Sequence, residues 1–213
     1  MTKAEYIDFI RNSLPQVDQT SRFHHKQVAA AINVAVNAVY WEMYDENPAA
    51  FRKGMERYST NAKLDLGLSD GRYVADLTVD IVDLPRKAGG ILGVKEDPSL
   101  GTTTTTTQFV PVSTTEGEQL YGSEGSLPGN VVGYSWAGYE RDGVRAIEFW
   151  GATASPIANG VIVRYIKQFK SYTSTQTFIP PFGQDQLIID KVREFMGATP
   201  PKDTVNDNAD TNG

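Results

Sequence analysis

Apolar positions in the first 58 residues recur at helical spacing. Tyr6, Phe9, Ile10 and Leu14 form one stripe, the pattern of an amphipathic helix. Thr2-Lys3-Ala4-Glu5 opens it as a capping box, in which a hydroxyl and a carboxylate reciprocally satisfy free amides, and Pro15 limits it. A second stripe runs through Phe23, Val28, Ile32, Ala35, Val36, Val39, Tyr40 and Met43. It predicts a helix from Thr20 or Ser21 to about Glu46, roughly 39 Å long at 1.5 Å per residue. Asn47-Pro48 closes that helix and caps a short third one, since Pro suits the first helical position.

From about residue 60 to 177 the pattern becomes that of strands. Val74–Leu84 fits a helix through Val74, Leu77, Ile81 and Leu84, or a strand with Leu77, Val79 and Ile81 on one face. Gly71, Pro85 and the β-branched content favour the strand. Ile91–Lys95, Gln108–Val112, Val131–Tyr139, Val144–Trp150 and Val161–Phe169 read as further strands, and Arg141-Asp142-Gly143 reads as a hairpin turn. Strands joined by turns without intervening helices predict a central antiparallel sheet, sandwich or small barrel. Residues 97–107, with six Thr at 102–107, and residues 114–130 read as loops.

After Phe178-Ile179-Pro180-Pro181-Phe182-Gly183 one more helix starts at Gln184 or Asp185. Its stripe is Ile188, Val192 and Phe195, and Gly197 stands where a left-handed cap ends it. Residues 198–213 hold two Pro, three Asp, three Asn and a single Val. Such a segment buries too little apolar surface to fold alone, and is expected to be a flexible tail. The fold class expected is therefore α+β: long N-terminal helices, a β-rich middle, one C-terminal helix and the tail. The regions are 1–58, 59–183, 184–197 and 198–213.

Composition narrows the chemistry. The 213 residues contain no Cys, which excludes disulfides, thiolate zinc sites, iron–sulfur clusters and a cysteine nucleophile. Twenty basic and 26 acidic side chains leave a formal charge of -6, the wrong sign for a protein that coats nucleic acid. Residues 1–20 have neither a signal-peptide core nor transit-peptide character. Val28–Trp41, interrupted by Asn33 and Asn37, is shorter than the roughly 20 residues of a membrane span. Synthesis in a cytoplasm and no membrane partner are the expectations.

Candidate chemistry is sparse. His24 and His25 point about 100° apart on a helix, unlike the i, i+4 pair of a helical zinc site, and read as surface or interface imidazoles. Gly133-Tyr134-Ser135-Trp136-Ala137 approaches a hydrolase nucleophile elbow but has Ala in the last position and a hairpin after it. Asp76, Asp80, Asp83, Glu116, Glu118 and Glu124 are carboxylates of the type a glycosidase pairs, although solvated acids on loops explain them as well. Asn208–Gly213 begins like a calcium loop without its closing Glu. Gly122, Gly125 and Gly129 make no phosphate fingerprint. The reading is non-enzymatic, with no catalytic residue, cofactor or metal. A carbohydrate- or surface-binding β module, with Trp136, Tyr139 and Trp150 as a stacking platform, is the alternative, and a glycoside hydrolase comes third.

Several segments together carry a resemblance. The long N-terminal helices, Val82-Asp83-Leu84-Pro85, Gly89-Gly90-Ile91-Leu92-Gly93-Val94, Phe109-Val110-Pro111-Val112, Phe178-Ile179-Pro180-Pro181-Phe182 before a helix, and the Pro200–Asp207 tail resemble neck proteins of tailed bacteriophages. The ring or head-to-tail connector proteins of crAss-like, short-tailed phages are the nearest in kind. The resemblance implies a virion protein that stacks below the portal as a homo-oligomeric, twelve-fold ring. Portal and adjacent ring or tail proteins would be its partners, with genomic DNA passing through the lumen without sequence-specific binding. Tyr40, Trp41, Tyr44 and Phe178, Ile179, Pro180, Pro181 and Phe182 are the candidate interface residues, since aromatic side chains are enriched in interface cores.

Overall fold

The computed structural model describes residues 1–14, 23–69, 72–85, 88–97, 107–113, 115–117, 119, 131–136, 140–141, 144–151 and 160–197. The chain is α+β, as expected, and divides into two compact units. One joins residues 1–39 to residues 172–213; the other is residues 40–171.

In the first unit the two ends of the chain meet. Helix α1 (Lys3–Ser13) starts on the expected capping box: the Glu5 amide donates to Thr2 Oγ1 (3.3 Å), and the Thr2 amide donates to Glu5 Oε2 (2.8 Å). The amides of Lys3 and Ala4, which have no partner within a helix, donate to the carbonyls of Gln176 (2.9 Å) and Ser174 (3.1 Å). Thr2 and Thr177 form an antiparallel bridge. The buried Tyr6 ring packs on Phe178 at 4.9 Å, and Tyr172 meets Phe178 edge-on at 5.5 Å. Helix α4 (Asp185–Phe195, eleven residues) buries Ile188, Ile189 and Val192, and Arg193 donates to the Ser13 carbonyl at the end of α1 (2.9 Å). Gly197 has φ 64°, the left-handed cap expected there.

Helix α2 runs from His25 to Glu46 and buries Val28, Ala31, Ile32, Ala35, Val36 and Val39 in one stripe. It starts later than the sequence pattern implies: Phe23 and His24 precede it, and the His24 carbonyl accepts from the amides of Gln27 and Val28. Thr20 and Ser21 lie outside the described residues.

In the second unit the end of α2 is followed by α3 (Pro48–Met55), capped by Asn47 Oδ1 accepting from the Ala50 amide at 3.0 Å. Phe51 of α3 is edge-on to Tyr40 and Tyr44. A three-residue turn (Glu56–Tyr58) leads into the strands, which among the described residues are β1 (Thr60–Leu64), β2 (Gly67–Ser69), β3 (Arg72–Asp76), β4 (Ile91–Glu96), β5 (Gln108–Pro111), β6 (Val131–Ser135), β7 (Glu140–Arg141), β8 (Val144–Trp150) and β9 (Val161–Tyr165). One sheet has the order β1-β9-β4, and the larger has the order β2-β3-β8-β6-β5, with β7 paired to β8. Ala75, Leu77, Ile81, Ile91, Val132, Tyr134, Ile147, Phe149, Val161, Val163 and Tyr165 share one buried cluster. Each of its large side chains contributes about 1.5–3 kcal/mol by leaving water.

Four expectations are corrected in this unit. Val74–Leu84 is not one strand: the ladder ends at Asp76, and beyond it the chain makes one bond from the Leu77 N–H to the Arg145 carbonyl and an isolated antiparallel bridge between Ile81 and Lys167. Val161–Phe169 likewise ends as a strand at Tyr165. The pair β5–β6 is parallel, whereas the other strand pairs among the described residues are antiparallel. Ser113 and Glu116 form a second capping box where a loop was expected. The expected hairpin pairs Arg141 with Val144; Asp142 and Gly143, the Thr residues 102–106 and the tail 198–213 lie outside the described residues.

Candidate functional site

The eight candidate interface residues separate by exposure. Tyr40 and Phe178 are buried in their own units, Pro181 is buried too, and Tyr44 and Pro180 are half-buried. Trp41 is 47% exposed, Ile179 53% and Phe182 38%. Phe182 has φ 50°, the left-handed region that bulky residues rarely adopt. Trp41 faces out while Tyr40 faces in because neighbours on a helix point about 100° apart.

Among the described residues, the exposed large apolar side chains are Met1, Phe9, Val34, Trp41, Ile179, Phe182 and Phe195. All but Trp41 belong to the first unit. Three of them are tied together around the Tyr6–Phe178 ring pair: Phe9 packs on Tyr6 at 6.1 Å, the Met1 carbonyl accepts from the Phe178 amide at 3.0 Å, and Ile179 is the next residue. Burial pushes the Tyr6 phenol far above its ordinary range, and the charge of the Asp185 carboxylate adds to the shift. Tyr6 is thus a neutral packing residue.

The second unit carries two polar surfaces. At the end of α2, Trp41 is accompanied by the exposed Glu42, Asp45 and Glu46. Carboxylates there face the negative end of the helix dipole, which disfavours them. On the smaller sheet, register sets Arg164 of β9 between Asn61 of β1 and Gly93 of β4, and Ile162 between Lys63 and Lys95. These residues point to the face opposite the buried Val161, Val163 and Tyr165. A bulge at Leu92 and the bare Gly93 open a cavity of about 170 Å³ there, lined by Asn61, Leu92, Gly93, Val94, Lys95, Ile162 and Arg164. Arg164 pairs with Glu56 at 3.0 Å and Lys63 with the buried Asp97 at 3.1 Å.

The residues weighed for catalysis are dispersed. His24 and His25 are exposed. Ser135 is a buried strand residue whose Oγ accepts from the Trp150 indole N–H at 3.1 Å, not an elbow. Asp80 pairs with Lys170 at 3.0 Å, Asp76 and Asp83 are exposed, and Glu116 is engaged in its capping box. Glu118, Glu124, Gly122, Gly125, Gly129 and Asn208–Gly213 lie outside the described residues. Trp136 and Trp150 are buried, so neither ring offers a stacking platform, and Tyr139 is outside the described residues. Sequence reasoning passed over the buried Glu148, flanked by Ile147 and Phe149 in β8, and the cavity cations, which come together only through strand register. No helix among the described residues is long and apolar enough to cross a membrane. Compared with known proteins, the chain matches no family model and no curated protein.

Proposed function

We propose that this chain is a structural protein of a tailed-phage virion, forming a homo-oligomeric ring in the neck and joining the portal side to the tail around the DNA channel. The observation that carries the reading is the placement of exposed apolar side chains. In the first unit Met1, Phe9, Val34, Ile179, Phe182 and Phe195 are exposed, and Met1, Phe9 and Ile179 gather around the Tyr6–Phe178 pair; large apolar side chains grouped on a surface mark interaction sites. A closed ring is built from heterologous contacts, so each subunit needs two different surfaces. The apolar surface of the first unit and the charged surfaces of the second supply surfaces of different character. The resemblance to connector proteins gives the assembly its place in the virion and the twelve-fold count. The acidic balance suits a part that DNA passes without being held.

Negative-stain microscopy of the purified protein, alone and mixed with portal and neighbouring ring proteins, tests this reading. Rings, or particles that add to the portal, are the expected result. A monomer that joins none of these partners overturns it.

A further inference from the structure

We propose that the Trp41 ridge at the end of α2 docks into the basic cavity on the β1-β9-β4 sheet of a second copy of this chain, forming the head-to-tail seam of the ring. The inference rests on the assembly reading above and names its contact.

The two surfaces complement each other in charge and shape. The ridge presents an exposed indole with Glu42, Asp45 and Glu46 around it. The cavity presents the cations Lys95 and Arg164, the Asn61 amide and an apolar floor of Ile162 and Leu92. Its volume of about 170 Å³ admits an indole ring. An indole on that floor sets the neighbouring carboxylates against Lys95 and Arg164, with Lys63 at the margin. Arg164 is paired with Glu56 within its own chain through one nitrogen, and its other guanidinium N–H groups are what an incoming carboxylate would meet. Ridge and cavity are different surfaces of one subunit, so the contact is heterologous and propagates, closing where the rotation permits.

The test is mass photometry and sedimentation velocity across a range of concentrations, with circular dichroism to confirm folding. Trp41→Ala and Lys95→Glu alter exposed side chains, and each should weaken assembly about 30-fold or more, the effect of losing an interface hot spot. Glu46→Lys should weaken it as well, and combining Glu46→Lys with Lys95→Glu should recover part of the loss, which a merely structural role would not produce. If Trp41→Ala and Lys95→Glu assemble like the parent, the seam is overturned while the ring reading stands. A parent protein that stays monomeric overturns both. Assembly through this seam without joining a portal upholds the seam and counts against the virion role.

Discussion

Replacing Gly90 by Ala should destabilise the second unit by about 3 kcal/mol, whereas the same change three residues along, at Gly93, should be nearly neutral. A Cβ added at Gly90 meets the Val82 carbonyl oxygen at 2.4 Å and the Val82 nitrogen at 3.2 Å. Both are backbone atoms, so no rotamer relieves the clash. Retreat is blocked on two sides, because the Ile166 amide donates to the Gly90 carbonyl (3.0 Å) and the Val82 amide donates to the Ile166 carbonyl (2.9 Å). Ile166 and Val82 are fully buried. Overpacking of this kind costs about 1–3 kcal/mol, and weakening either buried hydrogen bond adds about 1 kcal/mol. For a chain of this length that corresponds to a Tm lower by roughly 6–12 °C. At Gly93 an added Cβ meets nothing within 4 Å and φ is not positive, so Ala there should shift stability by less than about 1 kcal/mol, upward if at all. Urea denaturation followed by tryptophan fluorescence, with Tm from circular dichroism, measures both. Equal midpoints for the two variants would refute the close approach of the 82 and 90 backbones.

Ser135→Ala strands the buried Trp150 indole N–H and should lower the urea-derived stability by about 1–3 kcal/mol; an unchanged midpoint would mean that the donor has another partner. The bonds from Thr2 hold the Glu5 carboxyl below the ordinary carboxylate range, so its contribution is present above that range and lost as pH falls through the lower folded value. Glu5→Gln should therefore melt below the parent at pH 7, the two curves should converge on acidification, and a gap constant from pH 7 to 2 would contradict the capping account. Removing residues 198–213 should leave Tm nearly unchanged and weaken assembly, as differential scanning calorimetry and mass photometry can establish; a large fall in Tm would show that the segment packs on its own chain.

Features written in neighbouring residues were legible in advance. The capping box of Thr2 and Glu5, the Asn47-Pro48 start of α3, the Gly197 cap and the strands around Ile91, Gln108 and Val144 each depend on local chemistry. Pairing partners were not. Strand β1 is Thr-Asn-Ala-Lys-Leu, without a strong apolar signal, and is a strand because β9 bonds to it. The alternation of Leu77, Val79 and Ile81 reflects burial correctly, but burial does not decide whether the backbone joins a ladder or bonds singly. The candidate site shows the same division. Aromatic character drew notice to Trp41 and Tyr40 alike, and only the helix's rotation separates the exposed ring from the buried one. Asn61, Lys95 and Arg164 come from three strands far apart in the chain, so their convergence is a matter of register.

The first unit is assembled from both ends of the chain, with residues 40–171 translated between its two halves. Helix α1 therefore leaves the ribosome long before Tyr172, Phe178 and α4 exist. At about 5–20 residues per second, Tyr6, Ile7 and Ile10 wait roughly ten to thirty seconds for the side chains that cover them. An element that waits for its partners in this way is the kind that protomers can exchange, because a second copy offers the same covering side chains.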